Sequence, residues 1–195
     1  NAKAGQTLAS LHEFAIYMIG PVVRMVSHYL HLELKKMREH LDNDSPLPGD
    51  RYLFILGTND PNQMEAFVQS YWQDTNCLAN DYTKYDQSQN HEFLHFEDLL
   101  HQHLRIPNVL RDMYVWLKTN TQTFLKNLSV MRITGGAETY NYNTIENIAY
   151  TFLNFVISPE MPTMFSGDDS CICGVPKIST LFQEFGHEFA LQGKP

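Results

Sequence analysis

The sequence is short of cysteine, of positive charge and of long apolar runs, and each shortage closes off a class of protein. Only three cysteines, Cys77, Cys171 and Cys173, occur in 195 residues; they are too few for a disulfide framework and suit a reducing compartment. Against 22 Asp and Glu stand 14 Lys and Arg, a formal charge of −8, which argues against a simple basic coat for nucleic acid. An acidic metal site acting on nucleic acid stays open, with the basic residues elsewhere. No apolar run approaches the roughly 18 residues of a membrane span; the best candidate, Phe14 to Val26, is broken by Pro21 and Arg24. The low hydrophobicity of a disordered chain is missing as well. A content of 43% hydrophobic and 12% aromatic residues suffices for one domain, or a large piece of one, with a sizeable core. The chain opens Asn1-Ala2-Lys3 with neither a start methionine nor a signal-peptide pattern, so a fragment or processed product is expected.

Apolar residues recur at helical spacing from Leu8 to Leu41, with a break at Gly20-Pro21 that predicts two helices. Asp42 to Asp50, with two prolines and a glycine, predicts a loop. Arg51 to Leu56 predicts a buried strand, and Pro61 opens a helix to Trp72. A strand over Cys77 to Tyr82 and helices over Ser88 to Leu104 and from Ile106-Pro107 to Leu117 follow. Thr121 to Ile133 predicts a hairpin or extended segment. Thr139 to Val156 is the clearest helix, with Ile145, Ile148, Ala149 and Phe152 on one face. Met161 to Phe165 and Cys171 to Val175 predict two short strands, and Ile178 to Phe185 a last helix. No internal repeat or low-complexity tract interrupts this α+β pattern of a small sheet and many helices.

Three acidic or glycine-rich pieces stand out, in a fixed order. Asp81 and Asp86 lie five apart at the end of a predicted strand. Thr134-Gly135-Gly136 runs into a helix carrying Thr139, Asn143 and Thr144. Ser166-Gly167-Asp168-Asp169-Ser170 occupies the turn of a strand-turn-strand. Carboxylates at strand ends are what Mg²⁺ requires, because it is held by a few acidic oxygens plus substrate phosphates. Two such ions about 3.5–4 Å apart stabilise the attacking and leaving oxygens of phosphoryl transfer together. Singly, each piece has an ordinary explanation: a Gly-Asp-Asp turn is common, and Asp81 and Asp86 fit a strand end and a helix cap. Together and in this order they are specific.

With those pieces in place, the chain resembles the catalytic region of the RNA-dependent RNA polymerases of alphavirus-like positive-strand RNA viruses. Within them it is most similar to the replicases of flexible filamentous plant and fungal viruses of the tymovirus order. Asn80-Asp81-Tyr-Thr-Lys-Tyr-Asp86-Gln-Ser-Gln resembles motif A, and Met131-Arg-Ile-Thr-Gly-Gly-Ala-Glu-Thr-Tyr-Asn-Tyr-Asn-Thr144 motif B. Phe165-Ser-Gly-Asp-Asp-Ser170 resembles motif C. Lys3-Ala-Gly-Gln-Thr7 is similar to a segment that precedes motif A, and Phe189-Ala-Leu-Gln-Gly-Lys194 to motif D. Thr134 departs from the Ser commoner at that point of motif B.

The resemblance implies a right-hand palm, a small antiparallel sheet packed on helices, with part of the fingers and the thumb missing. Residues 77–104 and 135–195 would form the palm, and 1–76 and 105–134 mainly the fingers. It implies Mg²⁺ (or Mn²⁺) held by Asp81 and Asp168, with Asp169 as an auxiliary ligand. Asp86 and Asn143 would read the ribose 2′-hydroxyl; Thr139, Gly135 and Ser166 would line the nucleotide site; Lys194 would donate a proton to departing pyrophosphate. Thr139, Asn143 and Asn147 share one helical stripe, expected to face the ribose. The implied partners are RNA template, primer or nascent strand, ribonucleoside triphosphates, and helicase and methyltransferase domains of the same polyprotein. The implied location is the host cytoplasm, in membrane-associated replication complexes.

A rival reading rests on His91-Glu92-Phe93-Leu94-His95, which fits the H-E-x-x-H zinc protease signature, with His101 where a third ligand falls. Asp98 stands where that pattern needs glycine, and in a continuous helix His101 lies about 120° from His95. Cys171 and Cys173 are expected to be packed strand residues. A catalytically silent RNA-binding replicase fragment is the remaining alternative.

Overall fold

A computed structural model describes residues 24, 25, 28, 32, 53–55, 61–73, 76–120, 130–132, 139–158 and 160–185. The elements are β1 (Leu53–Ile55), α1 (Pro61–Tyr71), β2 (Cys77–Asn80), α2 (Tyr85–Ser88), α3 (His91–His103), α4 (Asn108–Asn120), α5 (Thr139–Asn154), β3 (Phe155–Val156), β4 (Thr163–Ser166), β5 (Asp169–Cys173), β6 (Lys177–Ile178) and α6 (Thr180–Phe185). Residues 24, 25, 28 and 32 are helical. The rest of the two predicted N-terminal helices, the 42–50 loop, most of the 121–133 segment, Gly135, Gly136 and Lys194 lie outside the described residues.

Four strands form one sheet in the order β1-β4-β5-β2. The α+β expectation of a small sheet on helices holds, but an antiparallel sheet is corrected to a mixed one. Strand β1 pairs parallel to β4, and the other two pairings are antiparallel. Parallel pairing needs a long crossover, which the chain between Ile55 and Thr163 supplies. Strand β1 comes from the stretch expected to lie mainly in the fingers, yet it is hydrogen-bonded beside the Gly-Asp-Asp hairpin.

The reason is burial on both faces. Leu53 and Ile55 pack with Phe165, Ile148 and Phe152 on the α5 side, while Phe54 packs with Phe67, Tyr71, Trp72 and Met164 on the other. The rings of Phe54 and Phe67 stack at 5.0 Å. Continuous apolar strands of this kind are what a sheet covered on both sides demands. A second core cluster joins α3, α4 and α5 through Leu94, Ile106, Tyr114 and Tyr142.

Two boundaries differ from the sequence pattern. The predicted helix from Ser88 begins only at His91, with Ser88 closing the short α2, because Gln89 is extended and Asn90 caps α3, its side chain accepting from the backbone N–H of Glu92 (3.0 Å) and Phe93 (3.4 Å). Asn90→Ala is expected to cost about 1 kcal/mol, and a thermal melt should show Tm falling by about 2–4 °C for a domain of this size. The predicted helix to Val156 stops at Asn154, where Phe155 and Val156 turn to pair with Ile178 and Lys177.

Candidate functional site

The acidic pieces meet at one end of the sheet. In the β2–β5 register Asn80 lies opposite Ser170, so the next residue, Asp81, is level with Asp169. On the other side of β5, Asp169 pairs with Ser166, leaving Gly167 and Asp168 as the two central residues of a tight hairpin. Gly167 has φ +61° and is the first of them, the place where a II′ turn needs glycine. Asp81 and Asp169 are exposed; Asp86, Thr139, Ser166 and Asp168 are half-buried. Burial raises the Asp168 carboxyl above its ordinary range, a backbone hydrogen bond partly offsets this, and the charges of Asp169, Asp86 and Asp81 push it further up. The structure therefore brings Asp81, Asp86, Asp168 and Asp169 into one electrostatic neighbourhood.

That crowding of like charge is what a divalent cation relieves. Among the described residues no group of three or more His, Cys, Asp or Glu is arranged to hold a metal ion. Mg²⁺ needs only one or two carboxylates when water and phosphate complete its shell, and the hard oxygen donors of Asp81 and Asp168 fit it.

Helix α5 holds the hairpin by its backbone. The Gly167 N–H donates to Thr144 Oγ1 (3.0 Å), and Asn147 Nδ2 donates to the Gly167 carbonyl (3.1 Å). Thr151 Oγ1 in turn donates to Asn147 Oδ1 (3.2 Å). The ribose-facing stripe expected of Asn147 is thus corrected: Asn147 is fully buried, because both faces of α5 are covered and its amide is taken by the turn.

Asn143 does sit against motif A. Its Nδ2 donates to Asp86 Oδ1 (3.0 Å), and the Tyr85 hydroxyl donates to its backbone carbonyl (3.2 Å). Burial, then the nearby Glu146 charge, raise the Tyr85 phenol well above its usual range, so it stays a donor. Tyr82 and Tyr85 are both buried, their ring centroids 5.2 Å apart. Between them lies Lys84, a non-glycine residue with left-handed backbone at φ +53°, a conformation that carries local strain.

Behind the site lies a buried charge cluster that motif spacing did not reveal. Arg132, 1% exposed, donates from Nε to Asn143 Oδ1 (3.1 Å) and pairs with Glu146 (2.7 Å) and Glu97 (2.5 Å). Its own backbone N–H donates to the Asp86 carbonyl (2.9 Å). Burial raises Glu97, but Arg132 and Lys118 outweigh it and hold Glu97 below its usual range. Glu146 is driven well up, by burial first and then by the Glu97 charge against Arg132. One signal was readable: Glu97 falls four residues from Phe93 and from His101, and Glu146 four from Tyr142 and Tyr150. A charge on an apolar stripe requires a buried partner.

The zinc constellation does not assemble. His91, Glu92 and His95 are exposed on α3, whereas His101 is fully buried and shares a hydrogen bond between Nε2 and the Tyr142 hydroxyl. Burial lowers the His101 pKa, and Asp98 is bound by Arg111 (2.8 Å). The cysteines are strand residues: Cys77 pairs with Cys173, and Cys171 with Ala79. All three are free thiols; Cys173 is buried, Cys171 half-buried and Cys77 exposed.

Residues 16–194 match the family described as RNA dependent RNA polymerase. The chain is 38% identical over 180 residues to the non-structural replication polyprotein of Ononis yellow mosaic virus, covering 91% of this chain and 9% of that protein. It is 34% identical over 194 residues to the RNA replication protein of Potato virus X (strain HB), covering 99% and 12%. With the RNA replication protein of White clover mosaic virus (strain M) the identity is 31% over 194 residues, covering 99% and 14%. The chain thus spans between 9% and 14% of the length of these relatives.

Proposed function

Since the chain belongs to the RNA-dependent RNA polymerase family, as a replicase region of alphavirus-like type, we propose that it forms the palm and part of the fingers of a template-directed nucleotidyl transferase. The observation that supports this reading is the register that sets Asp81 level with Asp169, next to Asp168 at the tip of a hairpin clamped by α5. Asp81 and Asp168 would hold two Mg²⁺ or Mn²⁺ ions, with Asp169 auxiliary. Their chemistry, were they bound there, would be to lower the pKa of an RNA 3′-hydroxyl and to neutralise triphosphate charge.

The protein's own part is placement. The Gly167 backbone, held by Thr144 and Asn147, fixes where Asp168 points, and the β2–β5 register fixes Asp81 beside Asp169. The 3′-oxygen forms its bond to the α-phosphorus as the bond to pyrophosphate breaks. Lys194 would protonate that leaving group. Ser166, Thr139 and Gly135 would border the nucleotide. Template and nascent RNA, ribonucleoside triphosphates and other replicase domains are the proposed partners, in cytoplasmic membrane-associated complexes. Among the described residues no helix is long and apolar enough to cross a membrane.

Primer extension by the polymerase that carries this region tests the proposal. Incorporation of ribonucleotides should require added Mg²⁺ or Mn²⁺ and stop on chelation; synthesis that persists without divalent cation would overturn it. Sugar choice tests the Asp86–Asn143 pair. Asn143→Ala or Asp86→Ala should weaken the ribo-over-deoxyribonucleotide preference in kcat/KM by about 1–3 kcal/mol, roughly five- to a hundredfold. An unchanged ratio in both, with activity intact, would show that the pair only holds the palm together.

A further inference from the structure

We infer that Arg132 is a positioning residue for sugar recognition, locking Asp86 and Asn143 into one fixed arrangement; this rests on the proposed polymerase reading. Three hydrogen bonds close a ring. The Arg132 backbone N–H donates to the Asp86 carbonyl (2.9 Å), the Arg132 Nε donates to Asn143 Oδ1 (3.1 Å), and Asn143 Nδ2 donates to Asp86 Oδ1 (3.0 Å). Each bond removes a different freedom. The backbone bond fixes the height of the Asp86 loop against the segment carrying Arg132. The guanidinium, which can only donate, forces the Asn143 carbonyl oxygen toward itself, and so turns the amide N–H toward Asp86.

The guanidinium is itself immobile. It is buried to 1% exposure between Glu97 on α3 and Glu146 on α5, and lies over the Tyr142 ring at 5.2 Å. A planar fork held by two carboxylates leaves one orientation for Nε. Lysine can supply the charge at this place but not the fork, and its single nitrogen cannot face both carboxylates and Asn143 Oδ1 together. Selectivity for the 2′-hydroxyl then depends on a residue too far inside the protein to touch the sugar.

The experiment compares kcat/KM for matched ribo- and deoxyribonucleoside triphosphates in the polymerase, using Arg132→Lys, Asn143→Ala and their double variant. Arg132→Lys should lower the ribo/deoxy ratio about five- to fiftyfold, and the double variant should lie within about twofold of Asn143→Ala alone, since both break one ring. An Arg111→Lys control, which alters the ion pair with Asp98 and a hydrogen bond to Asn108 away from the Asp86–Asn143–Arg132 ring, should keep the wild-type ratio. Arg132→Lys with reduced overall rate but an unchanged ratio, while Asn143→Ala loses selectivity, would overturn the positioning role and leave the polymerase reading intact. An unchanged ratio in Asn143→Ala would overturn the inference and leave nucleotidyl transfer standing, whereas no synthesis by the parent enzyme would remove the polymerase reading and the inference with it. If Arg132→Lys fails to fold in a thermal melt, Glu146→Gln carries the same comparison: it loosens the guanidinium with Arg132 in place, and a ratio unchanged there overturns the inference.

Discussion

Asp168→Ala is expected to abolish nucleotide incorporation, a loss on the order of a thousandfold or more, because several kcal/mol of charge stabilisation act only as the phosphoryl group transfers. Asp81→Ala should match it. Asp81 follows β2 and Asp168 lies in the β4–β5 turn, so the two carboxylates come from separate parts of the chain and each would hold its own share of the metal site. Folding should survive both changes: Asp81 is exposed, and Asp168 sits in a turn where three neighbouring carboxylates repel it. Removing one of four crowded charges relieves the fold while emptying the site. His91→Ala and His95→Ala, on the exposed face of α3, should leave synthesis at the parent level. Primer extension with all four variants separates the readings. Normal synthesis by Asp168→Ala sinks the acidic site, and loss of synthesis in well-folded histidine variants restores a role for the H-E-x-x-H helix.

Arg132→Met is expected to destabilise the fold by about 3–5 kcal/mol, because it strands Glu97 and Glu146 in the interior without their cation. That is a large share of the roughly 5–15 kcal/mol available to a domain. The pH dependence has a definite sign. In the parent chain Glu97 is held below the ordinary value of 4.5, so its contribution is present at neutral pH and is lost as pH falls through that lowered pKa. Without the guanidinium, burial raises Glu97 as it already raises Glu146. Both must then carry protons in the folded state, and stability present at low pH is lost as pH rises through their raised values. Denaturant melts should therefore show the gap between parent and variant widening from pH 4 to pH 7. A constant gap would mean that Arg132 acts by packing alone.

Local signals sufficed where local physics decides. Pro61 opens α1, Gly167-Asp168 forms the hairpin, and the Thr139 helix begins at Thr139 as its pattern requires. The direction of β1 was not legible, since an apolar triplet buried on both faces carries no mark of parallel or antiparallel pairing. The polar side of α5 was misjudged for a related reason. Asn147 and Thr144 look like surface residues until Gly167, twenty and twenty-three residues on, arrives with a carbonyl and an N–H to satisfy them. The Arg132 ring was hidden furthest, because Asp86 lies more than forty residues before Arg132 and Asn143 and only the fold brings their hydrogen bonds together.

The parallel pairing of β1 with β4 also sets a timetable for synthesis of the chain. About 110 residues separate Ile55 from its partner Phe165, and a ribosome adding about 5–20 residues per second needs roughly 5–20 s to make them. During that interval Leu53, Phe54 and Ile55, all buried at the end, have no strand to join and form a bare apolar β segment of the kind that pairs with other chains. Helix α1 follows within a few residues, and Phe67 can stack on Phe54 long before β4 emerges. An aromatic contact that looks like one more piece of core packing in the finished protein would thus shield the nascent chain on one face of β1, leaving the other face to wait for Phe165.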